Sequence, residues 1–169
     1  MSKAMKIAIV DDEKDMRQSI ETEIVRVSID AQNRRLSKLT QEQIDALDKQ
    51  WVAERESEDK PLIAATLSNP LSVYLARLQG KSLGLYAEIF VMDQNGLNVG
   101  QSSITGDFWQ GDEAKFQNTF DVSSDALFID EPEWDDEAKI WRAQVSFPQA
   151  GYYEVWARAK DSAGEMQPF

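Results

Sequence analysis

The sequence predicts an α+β domain, in which N-terminal helices pack on an antiparallel sheet of about five strands. Two periodicities support this class. Apolar residues recur every three or four positions before Gly80, which is typical of helices, whereas several later segments alternate apolar and polar residues, which is typical of strands. With 169 residues and 42% hydrophobic content, the chain is long enough to bury the core of one domain.

Two helices are predicted in the first third of the chain. Residues 11–36 form the first, because apolar side chains recur there at helical spacing on a polar background: Met16, Ile20, Ile24 and Val27. The second begins after Thr40, whose hydroxyl can cap it, and Gln43 completes a capping-box pattern. Leu39 and Ile44 occupy the positions of a hydrophobic staple at the same helix start.

Two shorter helices are predicted to follow. Pro61 is placed to open the first of them, since proline is favoured at the first position of a helix. Asn69 and Pro70 form the same kind of start for the second, with the asparagine as its cap. Gly80 is predicted to end this last helix, because glycine is favoured just past a helix C-terminus.

Five later segments have the alternation, or the aromatic and β-branched content, of strands. They are residues 85–93, 97–103, 125–134, 139–147 and 151–160. Residues 94–96 (QNG) predict a hairpin turn between the first two, and a short helix is expected over about 111–118. The same turn lacks the bidentate glutamate of a calcium loop, so no metal site is expected there. Pro132 indicates an edge strand.

The composition excludes several classes of function. A net charge of −12 argues against binding to nucleic acid or to anionic membrane surfaces, because both attract basic proteins. The absence of cysteine and histidine from the sequence excludes disulfides, Cys/His zinc sites, thiol nucleophiles and histidine-based triads. No bond-breaking site and no cofactor is predicted, so the chain is expected not to be an enzyme.

Membrane and targeting signals are also weak in this sequence. No stretch approaches the roughly 20 apolar residues of a membrane-spanning helix. The apolar run Ile7–Val10 is too short for the core of a signal peptide, and acidic residues follow it. As written, the sequence predicts no membrane segment and a cytoplasmic location.

Residues 5–20, MKIAIVDDEKDMRQSI, resemble the first strand and helix of a bacterial response-regulator receiver. The resemblance implies that Asp11 and Asp12 help to hold Mg²⁺ beside a phosphorylated aspartate. Asp59 stands at the right distance along the chain to be that aspartate, but residues 51–60 are polar and helical in character. The sequence therefore argues against phosphotransfer, and Asp11 and Asp12 are expected to be acids at a helix start.

A longer resemblance covers residues 29–147. The segments that carry it are LTQEQIDALDKQW, PLSVYLARL, EIFVMDQNGLNVGQSS and DFWQGDEAKFQ. They resemble the single Cache (PDC-type) sensor domains of bacterial signal transduction. The resemblance implies a long helix packed on a PAS-like sheet, a periplasmic location, and a pocket for a small ligand such as an amino acid or a carboxylate.

Within this resemblance, the segment 107–116 would cap the sheet and close the pocket. Eleven acidic residues and one cation, Lys115, lie between Asp107 and Glu137, and Arg142 lies on a later strand. A small organic anion would bind such cations together with amide donors. The expected ligand-binding residues are Tyr86, Phe108, Trp109, Gln110, Lys115 and Arg142. Two alternatives stay open: the aromatic residues can belong to the core, and Lys115 can pair with a neighbouring acid on the surface.

The end of the chain departs from the Cache pattern. Residues 148–169 contain G-x-Y-x-V-x-A-x-A-x-D, which is similar to the closing strands of the Ig-like dimerisation domain of sulfite-oxidase-type molybdenum enzymes. The cysteine that holds molybdenum in that family is absent. The chain thus divides into a receiver-like head (1–28), a Cache-like domain (29–147) and a closing strand with its tail (148–169). Three resemblances in one chain favour the hypothesis of a composite sequence, either a chimera or a generated one.

Two functions from different classes follow from these observations. The first is a non-catalytic sensor domain, in which a small amino acid or carboxylate orders residues 103–118 over the sheet and shifts the long helix. The alternative is a structural module without a ligand, which serves a partner or a homodimer. Phosphoacceptor signalling is a third and weaker interpretation.

Overall fold

Four helices precede the first strand, as the change of hydrophobic period predicts. The computed structural model describes residues 16–120, 122, 126–136 and 140–147. The helices are α1 (Met16–Leu36), α2 (Gln41–Arg55), α3 (Pro61–Leu67), α4 (Pro70–Lys81) and α5 (Ala114–Gln117). The strands are β1 (Phe90–Met92), β2 (Asn98–Gln101), β3 (Phe128–Ile129), β4 (Glu133–Asp135), β5 (Ile140–Arg142) and β6 (Val145–Ser146). The acidic pair Asp11 and Asp12 and the predicted strand 151–160 lie outside the described residues.

The prediction of one sheet with about five strands is wrong for the described residues. Their strands pair two by two and antiparallel: β1 with β2, β3 with β6, and β4 with β5. Phe128 lies opposite Ser146 and Glu133 lies opposite Arg142, so residues 128–135 and 140–146 are the two arms of one long hairpin with an interruption. Pro132 lies at that interruption, between β3 and β4. Proline has no N–H to donate to a neighbouring strand, so it interrupts the ladder of hydrogen bonds.

The predicted hairpin turn between β1 and β2 is confirmed. Gly96 has a φ of +79°, a conformation that glycine adopts at no steric cost, and its N–H donates to the Asp93 carbonyl at 3.0 Å. A Cβ atom at this position would also lie 2.6 Å from the Gly111 Cα, so the close approach of the two backbones requires glycine. The strands themselves are shorter than predicted.

The predicted starts of α2 and α4 are confirmed. The Thr40 N–H donates to the Gln43 side chain at 3.0 Å and the Gln43 N–H donates to the Thr40 hydroxyl at 3.4 Å, which completes the capping box. The Ser72 N–H donates to the Asn69 side chain at 2.8 Å, directly before the proline at the first helical position. These contacts join residues three positions apart, so local sequence is enough to specify them.

The predicted end of α4 at Gly80 is wrong. The helix includes Lys81, and Ser82 follows as its C-cap with its N–H donating to the Leu78 carbonyl at 3.1 Å. In the next two residues the backbone has positive φ angles, 52° at Leu83 and 93° at Gly84. Gly84, rather than Gly80, therefore supplies the glycine that the chain reversal needs.

The buried apolar side chains form three clusters. The first joins α1 and α4 to the β1–β2 hairpin through Ile29, Leu71, Leu75, Ile89 and Val91. The second joins α2 and α3 to residues 97 and 108 through Ile44, Trp51, Ile63, Leu97 and Phe108. The third is small and contains Met92 and Phe116, with Phe90 and Phe120 packed against them. Thus the β1–β2 hairpin contributes to every cluster, and the helices pack around it.

Within the described part of the chain, no helix combines the length and the apolar character that a membrane crossing requires.

Candidate functional site

An open cavity of about 530 Å³ lies between the β1 strand and the two arms of the long hairpin. One wall is formed by residues 85–90 and Met92, and the opposite wall by Asp130, Glu131, Glu133 and residues 142–147. Lys115 of α5 reaches the same space. Three of the six residues predicted from the sequence line this cavity: Tyr86, Lys115 and Arg142.

Lys115 is held in place by two neighbouring groups. Only 8% of the residue is exposed, although lysine is rarely buried without a partner. Its Nζ atom lies 3.1 Å from a carboxylate oxygen of Glu113 and 5.5 Å from the centre of the Phe90 ring. The alternative expected from the sequence, an ion pair between Lys115 and a neighbouring acid, is therefore present. However, Lys115 is buried and lines the cavity.

Arg142 belongs to the opposite wall. It is the last residue of β5 and pairs with Glu133 of β4. The antiparallel pairing therefore positions the backbone of Arg142 at the edge of the cavity. Glu133 and Arg142 both line the cavity. The two cations thus come from different elements, α5 and β5, that the fold brings to one space.

Carboxylates share the same walls. The cavity is lined by Glu88, Asp130, Glu131 and Glu133. Glu88 accepts a hydrogen bond from the Ser103 hydroxyl at 3.1 Å. Partial desolvation raises the pKa of Glu88, while the Ser103 hydrogen bond and the charge of Lys115 act in the opposite direction. The cavity therefore presents both signs of charge.

Tyr86 is half-buried in the wall next to Glu88, and desolvation raises the pKa of its phenol. Sequence reasoning named Tyr86 but missed Glu88 and Ser103. A signal for Glu88 is present in the segment 85–93, because residues two apart on an extended chain face the same side. Tyr86, Glu88 and Phe90 have this spacing, and all three line the cavity.

The other three predicted residues lie at a different place in the fold. Phe108 stacks on Trp51 with ring centres 5.2 Å apart, inside the cluster formed by α2 and α3. The Trp109 indole N–H donates to the Asn95 carbonyl at 2.8 Å, and the Gln110 side chain donates to the Asp107 carbonyl at 2.9 Å. The fold does not bring Phe108, Trp109 and Gln110 to the cavity lined by Lys115 and Arg142.

Helix α2 holds this segment in its place. One carboxylate oxygen of Asp48 accepts the N–H groups of Phe108 and Trp109, at 2.8 and 2.9 Å. Nearby, the Arg55 guanidinium donates to the Gly106 carbonyl at 3.0 Å. These contacts join residues about 50 to 60 positions apart, so no local pattern in the sequence indicates them.

The remaining acidic side chains do not assemble a metal centre in the described residues. There, no group of three or more carboxylates comes together with the geometry to hold a metal ion. Asp59, the residue at the phosphoacceptor distance, is exposed in the loop between α2 and α3, and its N–H donates to the Ser57 hydroxyl at 3.1 Å. It does not stand at the end of a strand, which is where a receiver places its phosphoacceptor.

The fold and the cavity together define an α+β domain with an open cavity of mixed charge. Comparison with models of known protein families, with curated proteins and with solved structures found no match to this chain. The function is therefore argued from the residues of the cavity themselves.

Stability should be highest in mildly acidic solution. Burial raises the pKa of Asp93, and burial with the nearby charge of Asp48 raises that of Asp107, so both groups take up a proton more easily in the folded state and the fold gains stability as the pH falls from 7. Burial alone would raise the pKa of Glu54, but hydrogen bonds from the Ile63 N–H and the Gln50 amide outweigh it, so the pKa is lowered. The contribution of Glu54 is present above its unfolded value of about 4.3 and is lost below it.

Urea midpoints between pH 3 and pH 8 measure this dependence. We expect the midpoint to rise as the pH falls from 7 towards the pKa values of Asp93 and Asp107 in the folded protein, and the contribution of Glu54 to be lost below about 4.3. Glu54→Gln should flatten the fall at low pH and leave the rise intact. A midpoint that decreases steadily from pH 7 to pH 5 would contradict the expected role of Asp93 and Asp107.

Proposed function

We propose that the chain is a non-catalytic domain that binds a small molecule with a carboxylate group, such as an amino acid, in the manner of a Cache-type sensor. The observation that carries the proposal is the convergence of Lys115 and Arg142 on one cavity, within a chain whose net charge is −12. Cations that converge from two different elements are suited to hold an anion, because a carboxylate accepts hydrogen bonds from both.

The size of the cavity supports a small ligand. Pockets for small molecules usually enclose about 300–1,000 Å³, and this cavity encloses about 530 Å³. The Phe90 and Phe147 side chains give it apolar surface, while Lys115 and Arg142 give it charge. Such a combination of apolar walls and a few charged groups is typical of sites that orient a small organic ligand.

The carboxylates of the cavity favour a ligand that carries both charges. Glu88 and Glu133 would repel a simple anion, but they can accept hydrogen bonds from an ammonium group. An α-amino acid carries its ammonium and its carboxylate on the same carbon atom, so it can satisfy groups of both signs at once. This supports an amino acid over a carboxylate without an amine.

A binding signal can reach the rest of the fold through α5. Lys115 lies on α5, and Phe116 of the same helix packs on Met92 of β1. A ligand that binds Lys115 better in one arrangement of α5 than in another shifts the population towards that arrangement. The β1–β2 hairpin packs directly on α1, so a shift of α5 against β1 has a short path to the long helix.

Calorimetric titration with the common amino acids and with small carboxylates tests the proposal. We expect Lys115→Gln and Arg142→Gln each to weaken binding of a positive compound by about tenfold or more, because a hydrogen bond to a charged group contributes about 1.5–3 kcal/mol. Lys49→Gln is the matched control, since it removes the same charge from an exposed position of α2.

Trp109→Ala tests whether the aromatic residues predicted from the sequence take part in ligand binding. Trp109 lies in the cluster of α2 and α3, so its removal should leave the affinity within about twofold. Equal affinities in the wild type, Lys115→Gln and Arg142→Gln would remove both cations from the site, and the absence of any heat from the whole panel would remove the proposed ligand class.

The structural alternative has one observation in its favour. In the loop after α4, Leu83 is 95% exposed and Leu85 is 68% exposed, on either side of Gly84. Neighbouring exposed leucines favour contact with a second protein surface. A molar mass that doubles with concentration in light scattering, together with a panel in which no compound binds, would favour a homodimer module over a ligand sensor.

A further inference from the structure

A group of polar side chains is buried where β2 meets the loop of residues 102–107. Asn98 and Gln101 of β2 are 1% and 0% exposed, and Thr105 of the loop is 2% exposed. The Thr105 hydroxyl lies 3.0 Å from the Asn98 amide nitrogen and 3.2 Å from the Gln101 amide oxygen. One hydroxyl group therefore contacts both amides.

Two atoms of these amides have no hydrogen-bond partner among the described residues. They are the Asn98 side-chain oxygen, an acceptor, and the Gln101 side-chain nitrogen, a donor. A buried polar atom without a partner has lost its hydrogen bonds to water and gained none, so native structures rarely leave two such atoms unsatisfied.

Rotating the amides does not remove the deficit. If the Gln101 amide is turned, its nitrogen can donate to Thr105, but its oxygen then takes the unpartnered position. If the Asn98 amide is turned, its oxygen faces the Asp107 carbonyl at 3.2 Å, where two acceptors repel each other.

The nearby Asp107 carbonyl cannot serve the unpartnered Gln101 donor. It already accepts from the Thr105 hydroxyl at 2.7 Å, the Gln110 amide at 2.9 Å and the Asn98 amide at 3.2 Å. A carbonyl oxygen has two lone pairs, so these three donors leave it no capacity for another. A further small group that both accepts and donates is what the site lacks.

We propose that the side-chain amides of Asn98 and Gln101 bind one buried water molecule beside Thr105. The water accepts a hydrogen bond from Gln101 and donates one to Asn98, which satisfies both atoms. Water fits either orientation of the Gln101 amide, because it donates and accepts, whereas a cation fits only the orientation in which both unpartnered atoms are oxygens. The water ties β2 to the loop that leads into residues 107–110.

Oxygen-17 relaxation dispersion on the full chain counts long-lived internal water molecules. Gln101→Met keeps the length of the side chain and removes both polar atoms, so the count should fall by one. Gln110→Met is the matched control, because Gln110 is also buried but its amide nitrogen already has a partner in the Asp107 carbonyl. The control should keep the wild-type count.

A second measurement covers the case in which Gln101→Met does not fold. In the wild type, the side-chain N–H protons of Gln101 should show a cross-relaxation signal to water with the sign of a long-lived contact. The absence of this signal, or a water count that is the same in folded Gln101→Met and in the wild type, would overturn the proposal.

Discussion

Trp51→Ala should lower the free energy of unfolding by about 4 kcal/mol, because removal of a buried tryptophan typically costs about 3–5 kcal/mol. Trp51 is fully buried, at 0% exposure, and its ring stacks on Phe108. Its indole N–H also donates to the Thr105 carbonyl at 3.0 Å, so the substitution removes a packing contact and a hydrogen bond together. A loss of this size is a large part of the about 5–15 kcal/mol that stabilises a typical domain.

Urea unfolding followed by circular dichroism measures this change, with two further variants for comparison. Trp51→Phe keeps most of the apolar ring and loses the hydrogen bond to Thr105, so about 1–2 kcal/mol should be lost. Val52→Ala, at the next and exposed position of α2, should change the stability by about 0.5 kcal/mol or less. If Trp51→Ala lost no more than Val52→Ala, the stacked contact with Phe108 would not stabilise the fold.

Asp93→Ala should lower the free energy of unfolding by about 3 kcal/mol, since each buried donor left without a partner costs about 1–3 kcal/mol. One oxygen of the fully buried Asp93 carboxylate accepts the N–H groups of Asn95 and Leu97, at 2.8 and 3.0 Å. The other oxygen accepts the Gln32 side chain at 3.0 Å. The substitution removes the acceptor that closes the hairpin turn and joins it to α1.

Asp93→Asn distinguishes the contribution of the carboxylate to the hairpin turn from its contribution to the contact with α1. Its amide oxygen can still accept the two N–H groups of the turn, but its NH₂ group would face the Gln32 donor. We therefore expect an intermediate loss of about 1–2 kcal/mol, because Gln32 still donates to the Asn98 carbonyl at 3.2 Å. Urea midpoints measure all three proteins, and an Asp93→Ala variant as stable as Asp93→Asn would show that the turn does not depend on this carboxylate.

Local signals predicted the helix starts and the hairpin turn correctly. The capping box of Thr40 and Gln43, the cap at Asn69, and the turn at Gly96 each rest on groups three or four positions apart. Gly80 shows where a local signal fails. Glycine just past a helix is favoured, but the continued hydrogen bonding of Ser82 moves the chain reversal to Gly84.

Strand pairing was predicted less well than helix position. The segment 125–134 contains the short strands β3 and β4, and the segment 139–147 contains β5 and β6. Among the described residues, β3 pairs with β6 and β4 pairs with β5, and none of the four joins the β1–β2 hairpin. Alternation shows that a segment is extended and which side is apolar; it does not show which other segment lies beside it. Pairing depends on contacts between residues far apart in the chain.

The residues of the candidate site were also predicted only in part. The sequence singled out Lys115 and Arg142 as cations in an acidic region, and the fold places both on one cavity. It also singled out Trp109, but Trp109 contacts Asn95 in the hairpin turn. Aromatic side chains look alike in the core and in a binding pocket, so only the position of α2 relative to residues 105–110 decides between them.

By itself, the sequence determined the α+β class, the helix starts, the hairpin turn and the absence of cysteine and histidine chemistry. These depend on composition and on residues within one helical turn or one hairpin loop of each other. The tertiary structure alone decided which cations share a cavity, where Phe108 and Trp109 are buried, and which polar atoms of β2 lack a partner. The physical reason is that burial and charge pairing depend on distances in space, and the chain brings residues such as Asp48 and Phe108 together only when it folds.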